Sequence, residues 1–160
     1  MNDKICCFTG HRTVDGRHLY SLPGRLSRLL EELYRRGFRV FRAGGALGFD
    51  TVAALSVLDL RRSHPGVRLE LILPCRDQTA KWRPSDVEVY NAILSRADSV
   101  TYAEETYNPY CMHKRNRMLV DGAHCCIAYY NGGGGGTRYT YEYAHHCGVK
   151  VINVGEMTGM

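Results

Sequence analysis

Short apolar segments alternate with longer amphipathic ones along the whole chain, and this alternation constrains the fold most. The short segments are typical of buried strands and lie at residues 5–8, 38–41, 67–73, 99–102, 125–129 and 149–154. The longer segments predict helices at about 22–36, 50–62, 84–97, 110–120 and 137–147. Strands that alternate with helices predict an α/β fold, a Rossmann-like three-layer sandwich whose mainly parallel sheet is covered by helices on both faces.

The chain is expected to form one domain over residues 1–160, because it contains no linker and no repeat. Hydrophobic residues make up 44% and charged residues 23%, which is typical of globular proteins. No apolar stretch reaches the ~20 residues that span a bilayer, and the first one is too short for a signal peptide. We therefore expect a cytoplasmic protein without a membrane partner.

The seven cysteines are expected to be free thiols. Two adjacent pairs, Cys6-Cys7 and Cys125-Cys126, lie in predicted strands, where neighbouring side chains point to opposite faces and cannot bridge. Cys111 with His113, and the run 145–147, have no zinc-like spacing. The sequence therefore predicts no metal site.

Two glycine-rich loops each follow a predicted strand and precede a predicted helix. Glycine allows a close approach of the backbone to a ligand, and the N–H groups at a helix N-terminus suit phosphate. Together the loops predict a phosphate cradle, although each alone fits a tight turn. The candidate ligand residues are Gly44, Gly45, Gly48, Asp50, Gly133, Gly134, Gly135, Gly136 and Thr137.

The dinucleotide and P-loop fingerprints are both absent, which disfavours an NAD dehydrogenase and a P-loop NTPase. A third loop, Thr9-Gly10-His11-Arg12, follows the first strand and reaches the same sheet edge. Arg12 could bind phosphate, and His11 could hydrogen-bond it, move a proton, or be a solvated loop residue. Asp50 could cap its helix or bind a ribose hydroxyl.

The formal net charge is +5, which suits an anionic ligand. The basic residues are scattered rather than clustered in a stripe, so an extended nucleic-acid interface is not expected.

The ordered motifs together resemble the SLOG superfamily, which joins the SMF/DprA proteins to the LOG-type phosphoribohydrolases, and within it the YpsA-like branch. Besides the loops above, the resemblance rests on Pro74 with Gln78 and Trp82, on the run 115–117, and on Val120-Asp121. It implies a Rossmann-like fold and a pocket for nucleotides or related ligands such as ADP-ribose. It also implies a homo-oligomer, a dimer or larger.

The LOG-type signature matches this sequence only in part. Met112-His113-Lys114-Arg115 is similar to its first half, but Thr140 occupies the position of the Glu that ends its second half. Glu142 lies two residues further on, a rotation of ~200° on a helix. N-glycoside hydrolysis needs a carboxylate, and Glu142 is not expected to point where the family's Glu points. If the chain is a glycosidase, Arg115, which the resemblance implies, and Glu142, the next acid along the helix, are the candidate catalytic residues.

The remaining candidates are assigned to the phosphate and the base. Arg115 and Asn116 are predicted to reach the ligand. Trp82 could stack on a base or pack its loop, and Gln78 and Tyr129 could also line the base pocket. The sequence thus predicts binding or sensing of a phosphorylated nucleotide-derived ligand. The alternatives are an N-glycosidase acting on nucleoside monophosphates and a single-strand nucleic-acid binder of the SMF/DprA kind.

Overall fold

The computed structural model describes residues 3–156 and contains a six-stranded sheet in which all strand pairs are parallel. The strand order is β4-β3-β2-β1-β5-β6. The strands are β1 (Lys4–Gly10), β2 (Phe38–Ala43), β3 (Arg68–Leu73), β4 (Ser99–Tyr102), β5 (Cys125–Tyr129) and β6 (Lys150–Asn153).

One helix follows each of the first five strands, and the last strand ends in a short 3-10 turn at Val154–Glu156. The helices are α1 (Leu22–Arg35), α2 (Phe49–Ser63), α3 (Pro84–Arg96), α4 (Cys111–Val120) and α5 (Gly136–His146). Helix α2 packs against α1 and α3, while α4 packs against α5. The Rossmann-like three-layer α/β fold predicted from the sequence is confirmed.

Burial of regularly spaced apolar side chains explains why the helices form where they do. In α1 the buried residues are Leu22, Leu26, Leu30 and Leu33. Full burial of one such side chain contributes about 1.5–3 kcal/mol, so this stripe holds α1 to the sheet. The chain then turns at Gly37, whose φ of +97° is open to glycine but strained for other residues.

The strand order places a topological switch point between β1 and β5. From β1 the chain adds strands on one side as far as β4, and it then crosses over to β5 on the other side. The loops that follow β1 and β5 consequently diverge and leave a crevice at the carboxyl edge of the sheet. Within residues 3–156, no helix is long and apolar enough to cross a membrane.

Candidate functional site

A cavity of about 340 Å³ lies at the carboxyl edge of the sheet, where the loops after β1 and β5 diverge. We call it the switch-point cavity. It is lined by residues of β1 and its loop, the start of α2, one face of α4 and the start of α5: Phe8, Thr9, Gly10, His11, Arg12, Ala46, Asp50, Met112, His113, Arg115, Asn116, Leu119, Gly134, Gly136 and Thr137.

The loop after β1 supplies His11 and Arg12 to this cavity. The N–H of His11 donates to the carbonyl of Tyr129 (3.2 Å), and its carbonyl accepts from the N–H of Phe49 (3.1 Å). Its ring Nε2 accepts from the N–H of Asn131 (3.2 Å). Burial lowers the pKa of His11, so at neutral pH it is an uncharged link between the loops after β1 and β5. Arg12 is exposed and forms no ion pair within residues 3–156.

The glycines before α2 are required for packing. A Cβ on Gly48, whose φ is +77°, would overlap the carbonyl of Arg12. A Cβ on Gly44 would lie 2.7 Å from Nη1 of Arg115. Gly44, Gly45 and Gly48 do not line the switch-point cavity, so the structure gives these predicted ligand residues a role in bringing the loops together.

Asp50 and Arg115 are charged side chains buried at the wall of this cavity, 5% and 6% exposed. Oδ2 of Asp50 accepts from the N–H of Ala46 (3.1 Å), whereas Oδ1 has no partner among the described residues. Burial raises the pKa of Asp50 to about 6, although the charges of Arg115 and Arg12 oppose the shift. The carboxyl group therefore titrates near neutral pH and retains an unused acceptor.

The guanidinium of Arg115 is positioned by two neighbours. Nε donates to Oδ1 of Asn116 (2.8 Å), and Nη1 donates to the carbonyl of Gly44. Burial lowers the pKa of Arg115, with the charge of Asp50 opposing this effect. These contacts fix Arg115 beside Asp50 and tie α4 to the loop before α2.

The N-terminus of α5 opens into the same cavity. Its N-cap is Gly135, with a φ of +102°, which as a glycine provides no side-chain cap for the helix. A Cβ on Gly134 would meet nothing within 4 Å. The first N–H groups of a helix lack intrahelical partners and carry a partial positive charge. Gly136 and Thr137, the first residues of α5, carry such N–H groups, whose chemistry suits an anion. Gly133 and Gly135 lie in this loop but outside the cavity lining.

Neither residue at the end of the LOG-type signature lines the cavity. Thr140 is fully buried, and its hydroxyl donates to the carbonyl of Gly136 (2.9 Å). Glu142 lies on the exposed side of α5 and pairs with Arg138 (2.6 Å). The candidate catalytic carboxylate of Glu142 is thus placed away from Arg115. Asp50 is the only acid among the cavity-lining residues.

The three predicted base-pocket residues do not line the cavity either. Trp82 packs edge-on against Tyr90, with ring centroids 5.4 Å apart, beside a separate cavity of about 20 Å³. The amide nitrogen of Gln78 lies 3.5 Å from the Tyr90 hydroxyl. Tyr129 is fully buried, and its hydroxyl accepts from the N–H of Asp15 (3.0 Å). The structure therefore places all three in packing positions.

Helix α4 contributes lining residues that the sequence analysis did not select as site residues. Met112, His113 and Leu119 line the cavity together with Arg115 and Asn116. Positions 112, 115, 116 and 119 have the spacing of one helix face. That periodicity, applied to Arg115, would have identified Met112 and Leu119. Within residues 3–156, no three His, Cys, Asp or Glu side chains converge as a metal site would require.

Two curated relatives are similar to most of this chain. The "Uncharacterized SPbeta prophage-derived protein YoqJ" of Bacillus subtilis (strain 168) is 29% identical over 139 residues, which cover 79% of this chain and 81% of that protein. The UPF0398 protein YpsA of the same organism is 25% identical over 129 residues, which cover 74% of this chain and 71% of that protein.

A solved structure and a family model match as well. DNA processing protein A (DprA) from Streptococcus pneumoniae superposes with a TM-score of 0.70 and 16% identity over 98% of this chain. The chain spans about half of that structure, 52%, and at this identity the likeness shows a shared fold. The model of the YspA SLOG family matches residues 7–151. Because this match spans nearly the whole chain, the resemblance predicted from the sequence is confirmed, and the chain belongs to the YspA SLOG family.

Proposed function

We propose that this protein binds a phosphorylated nucleotide-derived ligand in the switch-point cavity and acts as a binding or sensing module. One observation carries the proposal: the uncapped N-terminus of α5 opens into the cavity lined by Arg12, Arg115 and Asp50. A volume of about 340 Å³ is at the lower end of the range for small-molecule pockets. It suits a ligand about the size of a nucleoside monophosphate.

The lining suggests how such a ligand is oriented. The N–H groups of Gly136 and Thr137, together with the unpaired guanidinium of Arg12, form the phosphate end. The unpartnered oxygen of Asp50 is an acceptor for a ribose hydroxyl. Arg115, held by its hydrogen bond to the Gly44 carbonyl, places a positive charge near Asp50.

A second candidate function, release of the base from a nucleoside monophosphate, is supported by Asp50. Hydrolysis of an N-glycoside needs a carboxylate close to the sugar. Thr140 and Glu142 do not supply one in the cavity, whereas Asp50 lines it and has a pKa of about 6. If base release occurs, we therefore expect it to depend on Asp50 and to be independent of Glu142.

The first test is thermal unfolding of the purified protein with AMP, ADP-ribose, NAD or single-stranded DNA, followed by analysis of each sample for free base. A ligand present at about 100 times its Kd adds about 2.7 kcal/mol to the free energy of unfolding. We expect stabilisation by AMP or ADP-ribose without free base. Free base that accumulates would establish the glycosidase, and stabilisation by DNA alone would overturn the proposed ligand class.

Two variants connect binding to the cavity. Gly134→Leu places a side chain in open space at the cavity wall, where φ is compatible with any residue. It should leave folding intact and abolish stabilisation by nucleotide. Glu142→Ala is the matched control, because Glu142 lies on α5, the helix that follows the Gly134 loop, but outside the cavity. Equal nucleotide stabilisation in both variants would place the ligand elsewhere.

A further inference from the structure

Two cross-strand pairs of cysteines lie at the centre of the sheet. Strands β1 and β5 are parallel neighbours, and their register places Cys6 opposite Cys125 and Cys7 opposite Cys126. The Cα atoms of such neighbours are about 4.8 Å apart, and disulfides form at 4.4–6.8 Å. All four are free thiols. The Cα spacing of each pair therefore falls within the range found for disulfides.

The two pairs lie on opposite faces of the sheet. Cys6 and Cys125 belong to the core beneath α1 and α2, whereas Cys7 and Cys126 belong to the core beneath α4 and α5. Cys125, although only 2% exposed, lines one of the four cavities considered in the described residues, whereas Cys6, Cys7 and Cys126 line none of these four. Because one member of the pair Cys6 and Cys125 borders a cavity, this pair is the candidate for reaction with a small molecule.

The cavity beside Cys125 has a volume of about 240 Å³ and lies at the amino edge of the sheet, opposite the switch-point cavity. We call it the amino-edge cavity. Basic side chains dominate its charged lining, namely Lys4, Arg36, His124 and Lys150, and its one acid is Glu32, which already pairs with Arg36 (3.2 Å). Cationic surroundings of this kind favour a thiolate.

The two thiols of this pair have different proton affinities. The Cys6 thiol, as a hydrogen-bond donor, and the charge of Lys150 lower the pKa of Cys125, although burial opposes this. Burial raises the pKa of Cys6 well above its usual value. The single proton of Cys6 has a second acceptor in the carbonyl of Cys7, at 3.6 Å. Geometry agrees with this direction, because Cys125 lines the cavity and is the register partner of Lys150, whereas Cys6 lies outside the cavity lining. We therefore assign Cys125 as the nucleophile and Cys6 as its partner.

From this arrangement we infer that Cys125 is a peroxide-reactive thiol and that Cys6 is its resolving partner. The Cys125 thiolate attacks one oxygen of a hydroperoxide, the O–O bond breaks, and the departing oxygen takes a proton to leave as water or an alcohol. The sulfur of Cys6 then attacks the sulfenic sulfur of Cys125, the S–O bond breaks, and water leaves. The two thiols supply the two electrons that reduce one hydroperoxide, and the product is a disulfide between β1 and β5.

The test is treatment of the reduced full chain with hydrogen peroxide, followed by alkylation and peptide mass spectrometry. We expect a cross-linked peptide to form before Cys147, the exposed thiol, is oxidised. The peptides that contain Cys6 and Cys125 also contain Cys7 and Cys126, so the mass of the cross-linked peptide does not show which pair is joined. The Cys7→Ala/Cys126→Ala variant removes this ambiguity and should retain the cross-link. Loss of the cross-link in this variant, or earlier oxidation of Cys147, would overturn the inference.

Single variants separate the two steps. Cys125→Ala should abolish the cross-link and all capture of sulfenic acid on β5. Cys6→Ala should also abolish the cross-link, but the sulfenic acid on Cys125 should persist and be captured by dimedone. Cooperative melting establishes that each variant is folded. A folded Cys6→Ala protein without a dimedone adduct at Cys125 would contradict the proposed order of steps.

Discussion

Asp50 carries a carboxyl group that the fold removes from water while one of its oxygens has no partner among the described residues. An ionised group in such a place costs free energy unless it is paired. Arg115 compensates only in part, because burial still raises the pKa of Asp50 from 3.8 to about 6. The strain at this one residue is consistent with a site that is completed when a ligand binds.

This pKa predicts how stability depends on pH. Between pH 4 and 6 the folded protein keeps a proton on Asp50 that the unfolded chain has lost, so the free energy of unfolding falls as the pH rises. Asn cannot ionise, and its side-chain oxygen can still accept from the N–H of Ala46. Relative to the unchanged protein, Asp50→Asn should therefore gain about 2.4 kcal/mol between pH 4 and pH 7.

Urea unfolding of both proteins at several pH values measures this difference. Glu142→Ala, which removes an exposed carboxylate outside the cavity, is the control for the loss of one negative charge. A constant difference between Asp50→Asn and the unchanged protein would show that Asp50 titrates as it does in water.

Single glycines show what the sequence could and could not predict at this scale. Gly44 and Gly48 were predicted to lie close to a ligand. In the structure Gly44 lies close to the Arg115 side chain, and Gly48 lies close to the carbonyl of Arg12. A packed side chain and a bound phosphate both exclude a Cβ. The sequence therefore predicts that glycine is needed without predicting which neighbour requires it.

At the scale of elements, local patterns predicted the strands and helices to within a few residues. The prediction for β4 is confirmed at Ser99–Tyr102. Strand β2 continues beyond the predicted residue 41 to Ala43, and β6 ends at Asn153 rather than at the predicted residue 154. Apolar periodicity and glycine or proline boundaries are properties of neighbouring residues. The register of β1 against β5, which pairs Cys6 with Cys125, depends on residues far apart in the chain and could not be predicted in this way.

The loop between β1 and α1 is an element whose position depends on Tyr129. The Tyr129 hydroxyl accepts from the N–H of Asp15 (3.0 Å) and lies 2.6 Å from Nδ1 of His18. Tyr129→Phe leaves both groups without this partner, and we expect it to lower the free energy of unfolding by about 1–2 kcal/mol. Hydrogen exchange at the Asp15 amide should become faster.

The matched control is Tyr143→Phe, which removes a hydroxyl whose contact with Asp121 (2.6 Å) is exposed. Its effect should be smaller, because water can replace the lost contact. If Tyr129→Phe changes nucleotide affinity while Asp15 exchange and stability stay the same, Tyr129 contacts the ligand, as the sequence analysis predicted, and does not organise the loop.

At the scale of the whole molecule, the parallel sheet separates two cavities. All strands run in one direction, so the loop that bears Arg12 and the first turns of α2 and α5, which bear Asp50 and Thr137, meet at the carboxyl edge. The amino-edge cavity with Cys125 lies at the opposite end of β5. A ligand in one cavity therefore touches none of the residues that line the other.

This separation predicts where a nucleotide protects the backbone. One ligand that bridges the diverging loops should slow hydrogen exchange at three places together: residues 10–12, residues 46–50 and residues 134–137. Amides of β6 (Lys150–Asn153), at the other cavity, should exchange at an unchanged rate, and Gly134→Leu should lose protection at all three places. Protection confined to one loop after addition of AMP would mean that the nucleotide binds at that loop alone and that the switch-point cavity is not its site.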